Sequence, residues 1–256
     1  MHEQYGLDAD AAIVTGASRG VGRTVAERFA DEGVDVTICS RDGEEIADVA
    51  AAIASEFDGE CHGIECDVRD TDSVGAMVEA TVERFGGVDL LVNNAGASFM
   101  ANFEDISENG WDSVVGVNLD GTVNCTRAVS DHLKDGGGAV VNVASVAGQQ
   151  GAPYMSHYAA AKAAIINLTT SLAYEWAGDD VRVNCVAPGY VATPGLATQM
   201  GITADAVDRE TVDRTVGTEA EIADTVQFLV SDAASFITGE TIAPKGKPQI
   251  EDVPET

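Results

Sequence analysis

Residues 11–22 read Ala11-Ala12-Ile13-Val14-Thr15-Gly16-Ala17-Ser18-Arg19-Gly20-Val21-Gly22. An apolar run of strand length passes into a turn with glycine at 16, 20 and 22, and a helical spacing follows. Glycine permits a tight reversal and a close approach of the backbone to a ligand. The free N–H groups of a helix opening at Gly20 favour an anion such as a pyrophosphate. Gly16, Ser18, Arg19, Gly20, Val21 and Gly22 are the candidate contacts. A glycine-rich turn can also serve packing alone, so its meaning rests on its surroundings.

The same alternation continues outward from this stretch. Apolar segments of strand length fall at 11–15, 34–39, 61–65, 88–93, 138–144, 181–187 and 240–243. Helical spacing covers 20–32, 43–57, 71–85, 111–133, 154–177 and 218–230. Strands apolar on both faces and joined by helices predict a parallel sheet covered on both sides, an α/β doubly wound architecture. No linker or repeat breaks the rhythm, so residues 1–256 are read as one domain. Two segments stand outside it. The polar, Thr-rich stretch 189–217 follows a strand, where doubly wound folds bind ligands, and is a candidate substrate lid. Residues 244–256 form a tail.

Composition narrows the classes further. The chain carries 43 acidic against 14 basic residues, a formal charge of −29, spread along its whole length. That pattern resembles proteins held in molar salt, where the Debye length falls to about 3 Å and carboxylate repulsion is screened. Phosphate backbones need a basic face, so nucleic acid is excluded as a partner. No apolar run has bilayer-spanning length, and no basic-then-apolar leader opens the chain, which points to the cytoplasm. The cysteines at 39, 61, 66, 125 and 185 form no CxxC pair and read as reduced thiols, three of them within apolar or helical segments. The histidines at 2, 62, 132 and 157 show no metal-ligand spacing, so no metal is expected.

Two further features carry chemistry. Tyr158-Ala159-Ala160-Ala161-Lys162 puts a phenol and an ammonium on one helix face, where the cation would lower the tyrosine pKa. Ser145 follows the apolar run Val140-Val141-Asn142-Val143-Ala144, at the carboxyl end of that strand.

With TGxxxGxG at 15–22, Asn93-Asn94-Ala95-Gly96, Asn118, Ser145, Tyr158-xxx-Lys162, and Pro188-Gly189 followed by Thr193, the chain resembles the short-chain dehydrogenase/reductase family. The likeness covers residues 9–243, and the GxxxGxG spacing departs from the GxGxxG of long-chain dehydrogenases. It lapses at Ala243-Pro244-Lys245-Gly246-Lys247-Pro248, where relatives commonly end in a Val-Asp-Gly-Gly-like stretch. The resemblance implies a Rossmann-type fold and an oxidoreductase interconverting a ketone and a secondary alcohol. It assigns proton transfer to Tyr158 and the nicotinamide ribose to Lys162. It gives the substrate oxygen to Ser145, and to Asn118 the support of a water that leads protons to Lys162.

Cofactor choice in this fold is made at the end of the second strand, where an acidic residue selects NAD and an arginine NADP. Here that strand ends in Ser40-Arg41, with Asp35 at its far end and Asp42 beyond the arginine, so NADP is expected and NAD disfavoured. By resemblance Asp67 and Val68 meet the adenine and Asn94, Ala95 and Gly96 the adenosine ribose side. Pro188, Gly189, Val191 and Thr193 then border the nicotinamide. The implied substrate is a small carbonyl or alcohol, with 3-oxoacyl thioesters ahead of sugars and other alcohols. Enoyl thioesters are less favoured, because that branch tends to a longer Tyr-to-Lys spacing. Gln149, Gln150, Tyr154, Tyr190 and Leu196 are candidates for the pocket wall. The reading from another class is a non-catalytic NADP-binding sensor or scaffold, which the intact Asn118, Ser145, Tyr158 and Lys162 oppose. Family likeness also implies a homotetramer built on helices 111–133 and 154–177.

Overall fold

The computed structural model describes residues 5–201 and 203–247. The first half of the chain repeats one unit three times: β1 (Ala11–Thr15), α1 (Gly20–Asp31), β2 (Asp35–Ser40), α2 (Gly43–Glu56), β3 (Cys61–Glu65) and α3 (Thr71–Phe85). The second half holds β4 (Leu90–Asn93), α4 (Glu108–Val115), α5 (Gly121–Gly136), β5 (Gly138–Val143), α6 (Val146–Gln150), α7 (Ser156–Trp176) and β6 (Val181–Val186). Then come β7 (Tyr190–Val191), α8 (Pro194–Met200), β8 (Val216–Gly217), α9 (Glu219–Val230) and β9 (Thr241–Ile242). Local chemistry sets the ends of these helices. Asp42 accepts from Glu45 N to cap α2, and Asp70 accepts from Asp72 N and Ser73 N to cap α3. Thr218 and Glu221 form a capping box on α9.

Seven strands lie in the order β3-β2-β1-β4-β5-β6-β9, every pair parallel. One face packs Phe29, Ile46, Ile53, Ile222 and Leu229 against the sheet; the other packs Met77, Leu133 and Trp176. The expected doubly wound α/β fold is therefore present, with apolar cores on both faces. Strand order reverses between β1 and β4, which leaves a crevice beyond their carboxyl ends.

The structure corrects several boundaries. The helix expected over 111–133 is a longer rod in which α4 and α5 are joined by a π turn, Gly116–Asp120. The helix expected from Tyr154 begins at Ser156, because Tyr154 stands at φ 66°, in the left-handed region. Segment 189–217 is closed at its base by the parallel pair β7–β8 and carries α8 between. The start of the tail packs against that base, with Gly189 N donating to Pro244 O and Lys247 N to Arg214 O, both at 2.9 Å. Residues 248–256 of the tail lie outside the described residues, as does Ile202 of the lid segment.

Candidate active site

The glycine turn is fastened to β4 by a residue that the motif reading passed over. The Thr15 hydroxyl accepts from both Asn94 N and Ala95 N at 3.0 Å, and the Asn94 amide donates to the carbonyls of Thr15 and Gly16 at 2.9 Å. Asn94 thus spends its donors on the turn. Close approach explains two of the glycines: a Cβ on Gly16 would meet Ala95 Cα at 2.7 Å, and one on Gly22 would meet Asn94 Nδ2 at 2.3 Å. Gly16 and Gly20 also hold φ of 64° and 68°, which side chains rarely adopt. What remains at the start of α1 is a backbone cradle, flanked at Gly20 by the side chains of Glu219 and Thr193. That cradle fits a dinucleotide pyrophosphate. Ser18, Arg19 and Val21 lie in the same turn, with Arg19 exposed.

The catalytic candidates gather beyond β5. Ser145 caps α6 through Ala147 N at 3.2 Å, and its hydroxyl lies near enough to Tyr158 on the adjoining α7 to act on the phenol's proton affinity. One turn further along α7, Lys162 is buried and donates to Val143 O at 2.7 Å. Asn118 lies in the π turn, its amide donating to Ala97 O and Val114 O at 2.8 Å. Its buried Oδ1 accepts no bond among the described residues. A methyl on Gly96 would come to 2.7 Å from that Oδ1 and 3.6 Å from Lys162 Nζ, so Gly96 is the window between the two. Asn118, Ser145, Tyr158 and Lys162 are therefore brought into one neighbourhood.

Burial, opposed by the Ser145 hydroxyl, sets the Tyr158 phenol above its ordinary value, where the helix spacing led to the expectation of a lowered one. The ammonium is bonded to the β5 carbonyl and stands 5.6 Å from the phenol ring centre. Burial brings Lys162 down to about 8, against a smaller upward push from Cys185. Cys185 is a neighbour that sequence reading had no signal for, beyond its place in an apolar run. All five cysteines are buried free thiols.

At the other end of the crevice, a cleft of about 420 Å³ is lined by Arg41, Glu65, Asp67 and Ser73. Arg41 is exposed and makes no ion pair among the described residues. Ser40 Oγ donates to Asp42 O at 3.0 Å, and Asp42 itself caps α2. Asp35 accepts from Glu60 N at 2.8 Å, at the far end of β2. Asp67 is held by Arg69 at 2.9 Å, which depresses its pKa, and Val68 is buried beside it. On the opposite wall, Pro188 O accepts from Val146 N at 3.0 Å, and Gly189 gives Lys245 room, since a Cβ there would lie 2.9 Å from Lys245 Cβ. Val191 is in β7, and Thr193 caps α8 through Leu196 N at 3.2 Å.

Comparison with known proteins agrees with this fold. A family profile described as enoyl-(acyl carrier protein) reductase matches residues 16–246. The 3-oxoacyl-[acyl-carrier-protein] reductase FabG of Staphylococcus aureus strain Mu50 is 36% identical over 244 residues, 92% of this chain and 96% of that protein. The short-chain reductase protein NovJ of Streptomyces niveus is 40% identical over 239 residues, covering 90% of each. Among solved structures, a short-chain type dehydrogenase/reductase from Mycobacterium marinum superposes with a TM-score of 0.86 at 29% identity, covering 95% of this chain and 97% of that one. The chain belongs to the short-chain dehydrogenase/reductase family, and is an oxidoreductase of that family. Among the described residues no helix is long and apolar enough to cross a membrane.

Proposed function

We propose that this protein is an NADP-dependent reductase that interconverts a ketone and a secondary alcohol, with 3-oxoacyl thioesters as the substrate class. The observation that carries it is the convergence of Ser145, Tyr158 and Lys162 beyond β5, beside the glycine turn. The 36% identity to a 3-oxoacyl-[acyl-carrier-protein] reductase supports the substrate class. The four-residue step from Tyr158 to Lys162 keeps enoyl reduction in second place.

NADP is favoured because Arg41, at the carboxyl end of β2, makes no ion pair among the described residues, while Asp42, the acid that follows it in the chain, is occupied as the cap of α2. Gly16, Gly20 and Gly22 would seat the pyrophosphate, Arg19 and Arg41 the 2′-phosphate, Asp67 and Val68 the adenine, and Thr193 with Val191 the nicotinamide amide. When bound, the nicotinamide supplies or accepts the hydride.

The residues of the chain handle the proton. Burial keeps the Tyr158 phenol protonated at neutral pH, so its O–H donates to a carbonyl oxygen that Ser145 also holds. A phenolate left behind is formed within reach of the Lys162 ammonium, which stabilises it. Lys162 remains charged below about pH 8, so carbonyl reduction weakens above that value. The orphan Oδ1 of Asn118, across Gly96 from Lys162, is a polar site for a water that resupplies the proton. Segment 189–217, standing on its β7–β8 base, acts as a lid over the substrate, and the long helices α5 and α7 form the tetramer contacts.

A binding titration in molar KCl against NADPH and NADH tests the cofactor, and a panel of 3-oxoacyl thioesters, ketones and sugars tests the substrate. NADPH preference with thioester turnover that Tyr158→Phe abolishes is the expected result. Tighter NADH binding, or turnover that survives Tyr158→Phe, refutes it.

A further inference from the structure

Glu219 is the first residue of α9, which runs beside α1 from the same end of the sheet. The two helices are tied further along by Arg28 to Asp224 and by Gln227 to Glu32, both at 3.0 Å. This pairing sets the Glu219 carboxyl beside the glycine turn. A Cβ on Gly20 would lie 3.7 Å from Glu219 Oε1 and 3.9 Å from Thr193 Cγ2, so these two side chains flank the glycine that opens α1. Glu219 Oε1 is buried and accepts no hydrogen bond among the described residues. The carboxyl is within hydrogen-bonding reach of the Thr24 hydroxyl, which also donates to Gly20 O at 3.3 Å.

An ionised oxygen buried without a donor is costly. A phosphate arriving at the same helix N-terminus would add a second anion. The acid form relieves both costs, because its O–H has a phosphate oxygen to donate to.

We propose that Glu219 is a cofactor-site residue that carries a proton when the dinucleotide is bound, so that cofactor binding takes up a proton and weakens as pH rises. The inference rests on the reading above that a nicotinamide dinucleotide seats its pyrophosphate on the glycine turn. The proton comes from solvent, forms an O–H bond on the Glu219 carboxyl and is released when the cofactor leaves; no bond in the cofactor changes. The surroundings favour this. Burial raises the Glu219 carboxyl above the usual carboxylate range and Glu27 on α1 adds to it, while Thr24 and Arg23 oppose. Arg23 is itself bound to Glu27 at 2.8 Å, and on the lid side Arg214 is taken by Glu221.

Calorimetric titration of wild type and Glu219→Gln with NADPH, from pH 5.5 to 8.5 in buffers of different ionisation heat, is the test. Wild type is expected to show proton uptake that the variant lacks. The variant is expected to bind about tenfold tighter at pH 8, converging to within about twofold at pH 5.5. Equal proton exchange in both proteins, or dissociation constants within about twofold at every pH, would overturn the proposal. So would an equal gain in Glu27→Gln, since that would mark a general charge effect. NADH titration of wild type alone is a second measurement that needs no variant and involves no 2′-phosphate; proton uptake is expected, and its absence overturns the proposal. Failure of both cofactors to bind at any pH would instead overturn the functional reading on which the proposal stands.

Discussion

The two ends of the crevice are built on opposite principles. At the proposed catalytic end, Lys162 and Asn118 are buried, Tyr158 is half-buried, and the Lys162 and Asn118 donors are held by backbone carbonyls. Burial there shifts proton affinities, which suits the proton transfer proposed for this end. At the adenosine end, Arg19 and Arg41 are exposed side chains on turns, and Asp67 is matched by an ion pair to Arg69. Charge there faces solvent and, on the proposed reading, serves ligand selection. Reactivity thus sits where groups are costly to place, and selectivity where they are cheap to exchange.

The largest expected effect breaks the catalytic end alone. Tyr158→Phe should lower kcat about 10³-fold while the NADPH dissociation constant stays within about threefold, read by steady-state kinetics and fluorescence titration. A comparable loss in binding would show that the two ends are not separable.

At the adenosine end, Arg41→Asp should weaken NADPH about 30-fold through loss of a charge-assisted phosphate contact, with NADH binding held or improved. An unchanged NADPH/NADH ratio would move cofactor selection to another residue.

The cost of placing a buried charge is testable by its removal. Lys162 titrates near 8 in the folded protein, below the ordinary lysine value of 10.5. The unfolded chain therefore binds more protons between those values, and stability rises with pH through that window. Lys162→Met should remove this penalty at pH 7, raising unfolding stability by about 2 kcal/mol while turnover is lost. Denaturant unfolding measures it, and a less stable variant would mean that the ammonium's bond to Val143 O outweighs its burial.

The smallest effect separates capping from selection. Asp42→Ala should cost about 1 kcal/mol of stability through loss of the α2 cap and leave cofactor preference as it was. A shift toward NADPH would restore Asp42 as a ligand of the adenosine ribose.

Much of this was readable along the chain because the relevant signals are local. The strand at Ala11–Thr15, the cap-bounded α3 and the i, i+4 pair Tyr158–Lys162 each depend on residues a few positions apart. The π turn at Asn118 was not readable, since 111–133 keeps helical spacing straight through it. The roles of Asp67 and Asp70 show the same limit: either aspartate could cap α3 by spacing, and only the folded chain gives the cap to Asp70 and Arg69 to Asp67.

The sequence by itself determined the class of fold, the order of the motifs and the choice of candidate side chains. Hydrophobic period, glycine placement and helix spacing are imposed by backbone geometry within one or two elements. Only the tertiary structure decided that Thr15 locks the glycine turn to Asn94 and Ala95, that Lys162 faces the β5 carbonyl, and that Glu219 stands beside Gly20. Each of those contacts joins residues far apart in the chain, and each depends on burial. Desolvation and the direction of a buried hydrogen bond are properties of the packed neighbourhood, and no spacing along the chain encodes them.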